Sequence, residues 1–285
     1  MYRSSLMSAL LCAVFVSLVQ PAEAQDYKKI TGLKNPESAL VAKDGRIFVS
    51  EIGEFGKDGD GEITMIDTTG KVSVFAVGMD DPKGLAMIGK DLYVADKTRV
   101  LKIAPNGTWQ VFAGAKDFPV TPMFLNDLTT DIHGNVYVSD SGDLNGIGGA
   151  IYKINPEGKV STVINGKQDP RVLAPNGLIT DDTGNILLYV DFASGILYSI
   201  NMKSHLMVDL ASGFGGGDGL VDGPNGVYYL SDWKNGRVFR FKNDEVEMIQ
   251  DGFKASADIT LSQDGKFILV PDMKAGELVW LPVPK

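Results

Sequence analysis

The sequence predicts an all-β fold, a six-bladed β-propeller with four strands in each blade. One pattern recurs six times along the 285 residues: an apolar strand after a polar residue, a glycine turn, and a second apolar strand that ends in an acid. β-Branched and aromatic residues alternate with polar ones in these segments, and no long helical period is present. Four strands in a repeat of about 40 to 50 residues are typical of a propeller blade.

The first two strands of each repeat have recognisable ends. The first strands begin at Glu37, Lys83, Asn126, Asn176, Asp218 and Asp258. The second strands end at Glu51, Asp96, Asp140, Asp191, Asp232 and Asp272. Third and fourth strands follow, such as 151–154 and 160–163 in the third repeat. We expect the terminal acids to be structural, because short carboxylates readily accept hydrogen bonds from nearby backbone N–H groups.

The sixth repeat supplies only three strands, the last of them over 277–281. The segment 27–31 has the composition of a strand, so we predict that an N-terminal strand completes this blade and closes the ring. Closure of this kind also removes two exposed sheet edges. No linker or low-complexity segment interrupts the repeats, which predicts one propeller domain over 25–285.

Residues 1–24 are predicted to be a secretory signal peptide. Arg3 gives a positive start, 6–19 is an almost unbroken apolar run, and Ala22-Glu23-Ala24 is a typical cleavage site. The apolar run is short for a membrane span. The only cysteine, Cys12, lies in this leader, so the mature chain has no disulfide and no cysteine metal site. We therefore expect a periplasmic or secreted protein that is not membrane-bound in its mature form.

The charge of the chain restricts its partners. The formal net charge is -9 and no basic run is present, whereas nucleic-acid binding leaves a positive footprint. We expect a small-molecule substrate, no nucleic acid, and a monomer.

The polar residues that begin the six first strands are predicted to form a ring at the upper mouth of the channel, because the first strand of a blade lines the axis. Taken singly, each is explained as a turn residue. Taken together, five of the six carry side-chain oxygens that would converge on one axis. Carboxylate and amide oxygens suit Ca²⁺ or another hard divalent cation. Zinc is disfavoured because nitrogen and sulfur ligands are missing from this ring.

Other polar features are predicted to lie away from the ring or to be structural. His133 and His205 fall in turns expected on the lower face, which argues against a Ser-His-Asp triad. The loop 56–62 is similar to the start of an EF-hand loop, but Thr69 stands where that loop needs its closing Glu. We therefore expect a polar loop over the upper mouth rather than a second calcium site. The linkers 118–124 and 170–175 are expected to add apolar surface there.

The ring residues and their neighbours resemble the senescence-marker-protein/gluconolactonase/luciferin-regenerating-enzyme superfamily, whose six-bladed propellers include calcium-dependent lactonases and phosphotriesterases. The resemblance covers essentially all of the chain after the leader. It rests on short motifs and implies that one metal is held by Glu37, Asn126, Asn176 and Asp218. Sugar-lactonase members often carry Arg two residues before the blade-three Asn, where this chain has Phe124. A sugar-acid substrate is therefore not implied.

The predicted function is metal-dependent hydrolysis of a lactone or related ester. Calcium activates water less than zinc does, so a carboxylate base is needed, and Asp218 is the first candidate, with Asp258 the second. Lys83, Phe124 and Asp127 are predicted to contact the substrate. Lys83 either binds an anionic substrate group or pairs with a neighbouring acid.

Two alternatives from other classes remain. One is a non-catalytic periplasmic propeller that binds a ligand or acts as a scaffold, as in NHL-type and strictosidine-synthase-like relatives. The other, a quinone-dependent oxidoreductase, is less favoured because no histidine is expected at the upper face.

Overall fold

The strands form six four-stranded antiparallel sheets that are arranged as the blades of a β-propeller. The computed structural model describes residues 27–181 and 183–284. The predicted fold class is therefore confirmed. The predicted signal peptide, 1–24, lies outside the described residues.

The first strand in the chain, β1 (Lys29–Thr31), belongs to the last blade, and the others follow in blade order. Blades one and two contain β2 (Pro36–Val41), β3 (Ile47–Glu51), β4 (Gly61–Ile66), β5 (Val72–Met79), β6 (Pro82–Ile88), β7 (Asp91–Asp96), β8 (Arg99–Ile103) and β9 (Trp109–Ala113). Blades three and four contain β10 (Leu125–Thr130), β11 (Val136–Asp140), β12 (Ala150–Ile154), β13 (Val160–Asn165), β14 (Pro175–Thr180), β15 (Ile186–Asp191), β16 (Ile196–Asn201) and β17 (Met207–Ser212). Blades five and six contain β18 (Gly217–Gly223), β19 (Val227–Asp232), β20 (Arg237–Lys242), β21 (Glu245–Gln250), β22 (Thr260–Leu261), β23 (Phe267–Asp272) and β24 (Glu277–Pro282).

The N-terminal strand completes blade six, as the sequence predicts. β1 pairs antiparallel with β24, with Ile30 opposite Leu278. The backbone N–H of Trp280 donates to the carbonyl oxygen of Lys28 at 2.9 Å. Ile30 also packs against the apolar cluster that joins blade six to blade one. The two ends of the described chain therefore hold the ring closed.

The six acids that end the second strands are structural, which confirms the sequence-based expectation. Asp140 accepts the backbone N–H of Phe124 at 2.8 Å, and Asp191 accepts that of Ala174 at 2.8 Å. The other four make the same kind of bond to Lys34, Asp81, Gly216 and Ala255. Each bond joins the end of a second strand to the linker that enters the first strand of the same blade.

The pairing between the first and second strands changes register at the start of the first strand in blades one to five. The changes fall between Pro36 and Ser38, Pro82 and Leu85, Leu125 and Leu128, Pro175 and Leu178, and Gly217 and Leu220. A β-bulge of this kind re-aims side chains and is common beside active sites. In every one of these blades the bulge contains the residue predicted to face the channel.

Neighbouring first strands approach each other closely at the axis. A Cβ atom at Gly177 would lie 2.2 Å from the carbonyl oxygen of Asp218, and one at Gly84 would lie 2.4 Å from the Cα of Asp127. Any side chain at either glycine would force two blades apart, so these positions keep the channel narrow.

Apolar side chains fill the spaces between blades, where they are removed from water. Tyr189 and Tyr198 stack with ring centroids 5.1 Å apart, and both are buried. In the described part of the chain, helical structure is limited to short 3-10 turns at Ala115–Asp117, Pro224–Gly226 and Met273–Ala275. No helix there has the length and apolar character needed to cross a membrane.

We predict that Ile30→Ala destabilises the protein by about 2 kcal/mol, because it removes apolar contacts that join the closing strand to blade one. The measurement is the free energy of unfolding in urea. The matched control is Lys29→Ala in the same strand. Lys29 makes an ion pair with Glu277 at 2.9 Å that is largely solvated, so its loss should change stability by less than about 1 kcal/mol. Equal effects of the two variants would contradict a closing role for the buried face of β1.

Candidate functional site

A cavity of about 280 Å³ opens at the mouth of the channel. Five of the six ring residues line it, namely Glu37, Lys83, Asn126, Asn176 and Asp218. All five side chains are at least 96 % removed from solvent. The structure thus brings together residues that are up to about 180 positions apart in the chain, as expected for first strands around one axis.

Four of these residues each have a buried side-chain oxygen atom that has no hydrogen-bond partner. The atoms are Glu37 Oε2, Asn126 Oδ1, Asn176 Oδ1 and Asp218 Oδ1. In residues 27–181 and 183–284 only one other buried side-chain polar atom, Asp60 Oδ1, lacks a partner. Buried polar atoms are normally satisfied, and an exception calls for an explanation such as an ion. The four residues whose unsatisfied oxygens lie in this one cavity are the four predicted metal ligands.

The orientation of the Asn126 amide is fixed by Ser141. The Asn126 Nδ2 group donates to the Ser141 hydroxyl at 3.1 Å, and that hydroxyl donates to the carbonyl oxygen of Pro175 at 2.8 Å. With its nitrogen engaged, the amide presents Oδ1 toward the cavity. Ser141 was not predicted from the sequence, although it directly follows the acid that ends β11.

Asp127, a predicted substrate contact, does not line the cavity. Its carboxylate accepts the backbone N–H of Leu178 at 2.8 Å and that of Leu128 at 2.7 Å. The first of these bonds joins blade three to blade four. Asn126 and Asp127 are consecutive in one bulge, and the cavity receives the side chain of Asn126 only.

Asp258, the second candidate base, lies beside the cavity rather than in its lining. Its carboxylate accepts the Ser38 hydroxyl at 2.5 Å, and its backbone N–H donates to the carbonyl oxygen of Glu37 at 2.9 Å. These bonds connect blade six to blade one at the axis. Asp218, the first candidate base, is part of the lining.

Lys83 does not pair with a neighbouring acid. None of the ion pairs found in the described ranges includes it. Its Nζ donates to the carbonyl oxygen of Asp81 at 3.0 Å and lies 4.3 Å from the centroid of the Phe124 ring. Phe124, the third predicted substrate contact, lines the cavity.

The electrostatics of the site are dominated by buried acids. Burial raises the pKa of Glu37, Asp127 and Asp218 well above the usual range, and the other carboxylates nearby raise each of them further. Burial raises the pKa of Asp258 to about 7. Burial lowers the pKa of Lys83, and the negative charge of Glu37 opposes that change. The site is therefore short of positive charge, which a bound cation would supply.

The donor set fits a hard cation better than zinc. The described residues contain no cluster of three or more His, Cys, Asp or Glu side chains that could hold a metal. The four ring residues with unsatisfied oxygens instead combine two carboxylates with two amides, and such oxygen ligands are those that Ca²⁺ accepts. His133 follows the end of β10, and His205 follows the end of β16. Both strands begin at the mouth of the channel, so the histidines lie at the ends away from the cavity, as the sequence predicts.

The walls of the cavity are mainly apolar, and most of them were missed in the sequence. Ile52, Phe192, Trp233 and Met273 line it, and each directly follows the acid that ends a second strand. This position in the repeat is the signal that could have found them. Phe55 and Leu144 come from the second-to-third-strand loops of blades one and three, and the first of these contains the segment 56–62 that the sequence predicts over the mouth.

The sequence and the structure have detectable similarities to known proteins. A family model described as "SMP-30/Gluconolactonase/LRE-like region" matches residues 80–256. This range includes Lys83, Asn126, Asn176 and Asp218, but not Glu37 or Asp258. No curated protein is significantly similar to the chain in sequence.

Three solved structures illustrate the structural likeness. A protein in a nidogen/laminin complex is 17% identical over 77% of this chain and 81% of its own, with a TM-score of 0.64. A catalytically inactive virginiamycin B lyase from Staphylococcus aureus with quinupristin is 13% identical over 91% of this chain and 99% of its own, with a TM-score of 0.61. A streptogramin B lyase is 17% identical over 85% of this chain and 78% of its own, with a TM-score of 0.60. At these identities the likeness shows a shared fold alone.

We predict that Ser141→Ala weakens calcium binding by about tenfold, because the Asn126 amide loses the hydroxyl that orients it. Isothermal titration of chelator-treated protein with CaCl₂ measures the effect. The matched control is Ser139→Ala. Ser139 is equally buried and accepts the backbone N–H of Asp127 at 2.9 Å, but none of the hydrogen bonds found in the described ranges joins it to Asn126. Both variants should lose stability, and only the first should lose calcium affinity. Unchanged affinity in Ser141→Ala would contradict this positioning role.

A second prediction concerns the pH dependence of the chelated protein. Asp258 has an ordinary pKa of 3.8, and burial raises it to about 7 in the folded state. Between these values the folded state retains a proton that the unfolded chain has lost, so this group destabilises the fold progressively as pH rises. Asp258→Asn removes the titration and keeps an oxygen for the Ser38 hydroxyl. Relative to this variant, the wild-type protein should lose stability from pH 4 to pH 7.

Urea unfolding at several pH values in the presence of chelator gives this comparison directly. Asp251→Asn serves as the control because it removes an exposed acid instead of a buried one, and it should not reproduce the effect of Asp258→Asn. Parallel stability curves for wild type and Asp258→Asn would show that burial of Asp258 does not act in this way.

Proposed function

Because this chain belongs to the SMP-30/gluconolactonase/LRE-like family, we propose that it is an exported, calcium-dependent hydrolase of a lactone or related ester. The observation that carries the proposal is the set of four unsatisfied oxygens, from Glu37, Asn126, Asn176 and Asp218, in the lining of one cavity. Leaving four polar atoms buried and unpaired costs about 1 to 3 kcal/mol each, so a ligand that satisfies all four at once is favoured.

These four side chains would coordinate a calcium ion. The bound ion would act as a Lewis acid toward the carbonyl oxygen of the substrate. The chain itself must supply the base. We assign this role to Asp218, an acid of the lining whose pKa is raised by burial and by the negative charge of Asp258.

Asp218 accepts a proton from the water that attacks the carbonyl carbon. The bond between that carbon and the ring or ester oxygen then breaks, and the proton passes to the departing oxygen. The products are a carboxylic acid and an alcohol, which in a lactone remain in one molecule. Asp258 lies behind this group and stays the second candidate for the base.

The walls support a substrate with an apolar part. Phe55, Phe124, Phe192 and Trp233 surround the mouth, and an aromatic lining excludes water from the reacting groups. Phe124 offers no hydrogen bond to a sugar hydroxyl. An alkyl or aryl lactone or ester therefore fits better than a sugar lactone.

The proposed site of action is outside the cytoplasm, on the basis of the leader-like residues 1–24. The absence of cysteine after Cys12 suits an oxidising compartment, since the mature chain would have no thiol to be oxidised. We propose that the mature protein acts there as a monomer on a small molecule.

We predict that Asp218→Asn lowers turnover of a reactive apolar lactone by at least about 100-fold, because it removes the proposed base. Hydrolysis of γ-phenyl-γ-butyrolactone and of 4-nitrophenyl esters is followed with purified protein in CaCl₂ and in chelator. Chelator should abolish turnover in the wild type, and added calcium should restore it.

The matched control is Asp222→Asn, an exposed acid of the same strand, β18, which should leave turnover unchanged. Lack of calcium-dependent turnover of any lactone or ester by the wild-type protein would favour the non-catalytic ligand-binding alternative. In that case Asp218→Asn should change only stability and ligand affinity.

A further inference from the structure

Among the residues that the structure describes, Lys83 is the one cationic side chain in the lining of the cavity. It occupies the ring position of blade two, where the other five blades carry a carboxylate or amide. Only 1% of its surface is exposed, and that side chain faces the same space as the four unsatisfied oxygens. A buried ammonium with no carboxylate in contact is unusual and calls for a function.

The position of this ammonium is fixed without consuming its charge. The carbonyl oxygen of Asp81 accepts a hydrogen bond from one of the three N–H groups of Lys83, at 3.0 Å. The Phe124 ring stabilises the cation through its face at 4.3 Å, and this contact leaves the net charge intact. Two N–H donors have no acceptor among the hydrogen bonds found in the described ranges, so they are free for a ligand in the cavity.

The charged groups of the proposed calcium-bound site have different partners. A divalent ion would be balanced by the carboxylates of Glu37 and Asp218, because the two amide ligands are neutral. The carboxylate of Asp127 accepts two backbone N–H groups and that of Asp258 accepts the Ser38 hydroxyl, so the protein itself engages both side chains. The ammonium of Lys83 is engaged by no carboxylate, and it faces a buried cavity where electrostatic interactions are weakly screened.

We propose that Lys83 binds an anionic group of the substrate, so that the preferred substrate is an apolar lactone or ester that carries one carboxylate. This inference rests on the proposed function for the reaction, but it concerns recognition rather than chemistry. A single ammonium matches a monoanionic group, and the two oxygens of a carboxylate can accept hydrogen bonds from its two remaining N–H donors. Phe124 then serves two purposes, because its ring supports the ammonium and lines the space for the apolar part.

The test measures binding and does not depend on turnover. The probes are 4-phenylbutyrate and its neutral analogue 4-phenylbutyramide, which have nearly the same shape. Isothermal titration is carried out with calcium-loaded wild-type protein and with Lys83→Met and Lys83→Gln. We expect the wild type to bind the carboxylate at least about tenfold more tightly than the amide, as a charge-assisted hydrogen bond provides. Both variants should lose at least about tenfold of this preference.

Lys83→Gln separates charge from structure, because it retains a donor for the Asp81 carbonyl and removes the cation. The matched control is Lys234→Met. Lys234 also lies 4.3 Å from an aromatic centroid, that of Phe192, but it is not part of the lining. This control should keep the full preference for the carboxylate. Thermal unfolding of each variant shows whether it is folded.

A wild-type protein that binds both probes equally overturns the proposal, whatever the variants do. A preference that survives in Lys83→Gln also overturns it, because calcium alone would then account for anion binding.

Failure of the proposed function gives a different combination of binding and turnover results. A protein that hydrolyses no lactone but shows the Lys83-dependent preference is a binding protein with this anion site. A protein that hydrolyses neutral lactones without the preference is a hydrolase that lacks it.

Discussion

The site depends on the hydrogen bonds that the acids ending the second strands accept from backbone N–H groups. Asp140 and Asp191 each accept backbone N–H groups of the linker that enters the first strand of their own blade. In blades two to five the ring residue lies two positions after the linker residue that donates this bond, as Asn126 follows Phe124. In blades one and six it lies three positions after it. The bond therefore fixes where the first strand begins, and the bulge that follows turns one side chain into the channel. Because the same bond recurs in all six blades, side chains from distant parts of the chain acquire a common centre.

The buried acids at the axis are tolerated in two different ways. Asp127 and Asp258 are satisfied by the protein, the first by backbone N–H groups of blades three and four and the second by the Ser38 hydroxyl. Both also join neighbouring blades, so their desolvation is offset by bonds that hold the ring together. Glu37 and Asp218 retain unsatisfied oxygens. This division separates acids that serve the fold from acids that are available to a ligand.

The sequence predicts the blades and the ring because both follow from repetition. Once six equivalent first strands are recognised, the axis defines which residues meet, and no contact needs to be known in advance. Asp127 could not be separated from Asn126 in this way, since two consecutive polar residues in a bulge look alike until the pairing register is known. The walls were missed for another reason. Trp233 and Phe192 follow structural acids, and the alternation of polar and apolar residues within a strand does not extend to the residue after it. Only their recurring position in the repeat marks them.

Ring and walls therefore have different constraints. The ring residues are fixed by the bulges and by the close approach of the first strands, whereas the walls come from loops and strand ends. Lys83 combines the two. The Asp96 carboxylate accepts the backbone N–H of Asp81 at 2.8 Å, and the carbonyl oxygen of Asp81 accepts a hydrogen bond from the Lys83 ammonium. The bond that positions the linker in every blade thus also positions a cation in blade two. A charge held this rigidly loses little entropy when a ligand binds, which is the property that a selective anion contact requires.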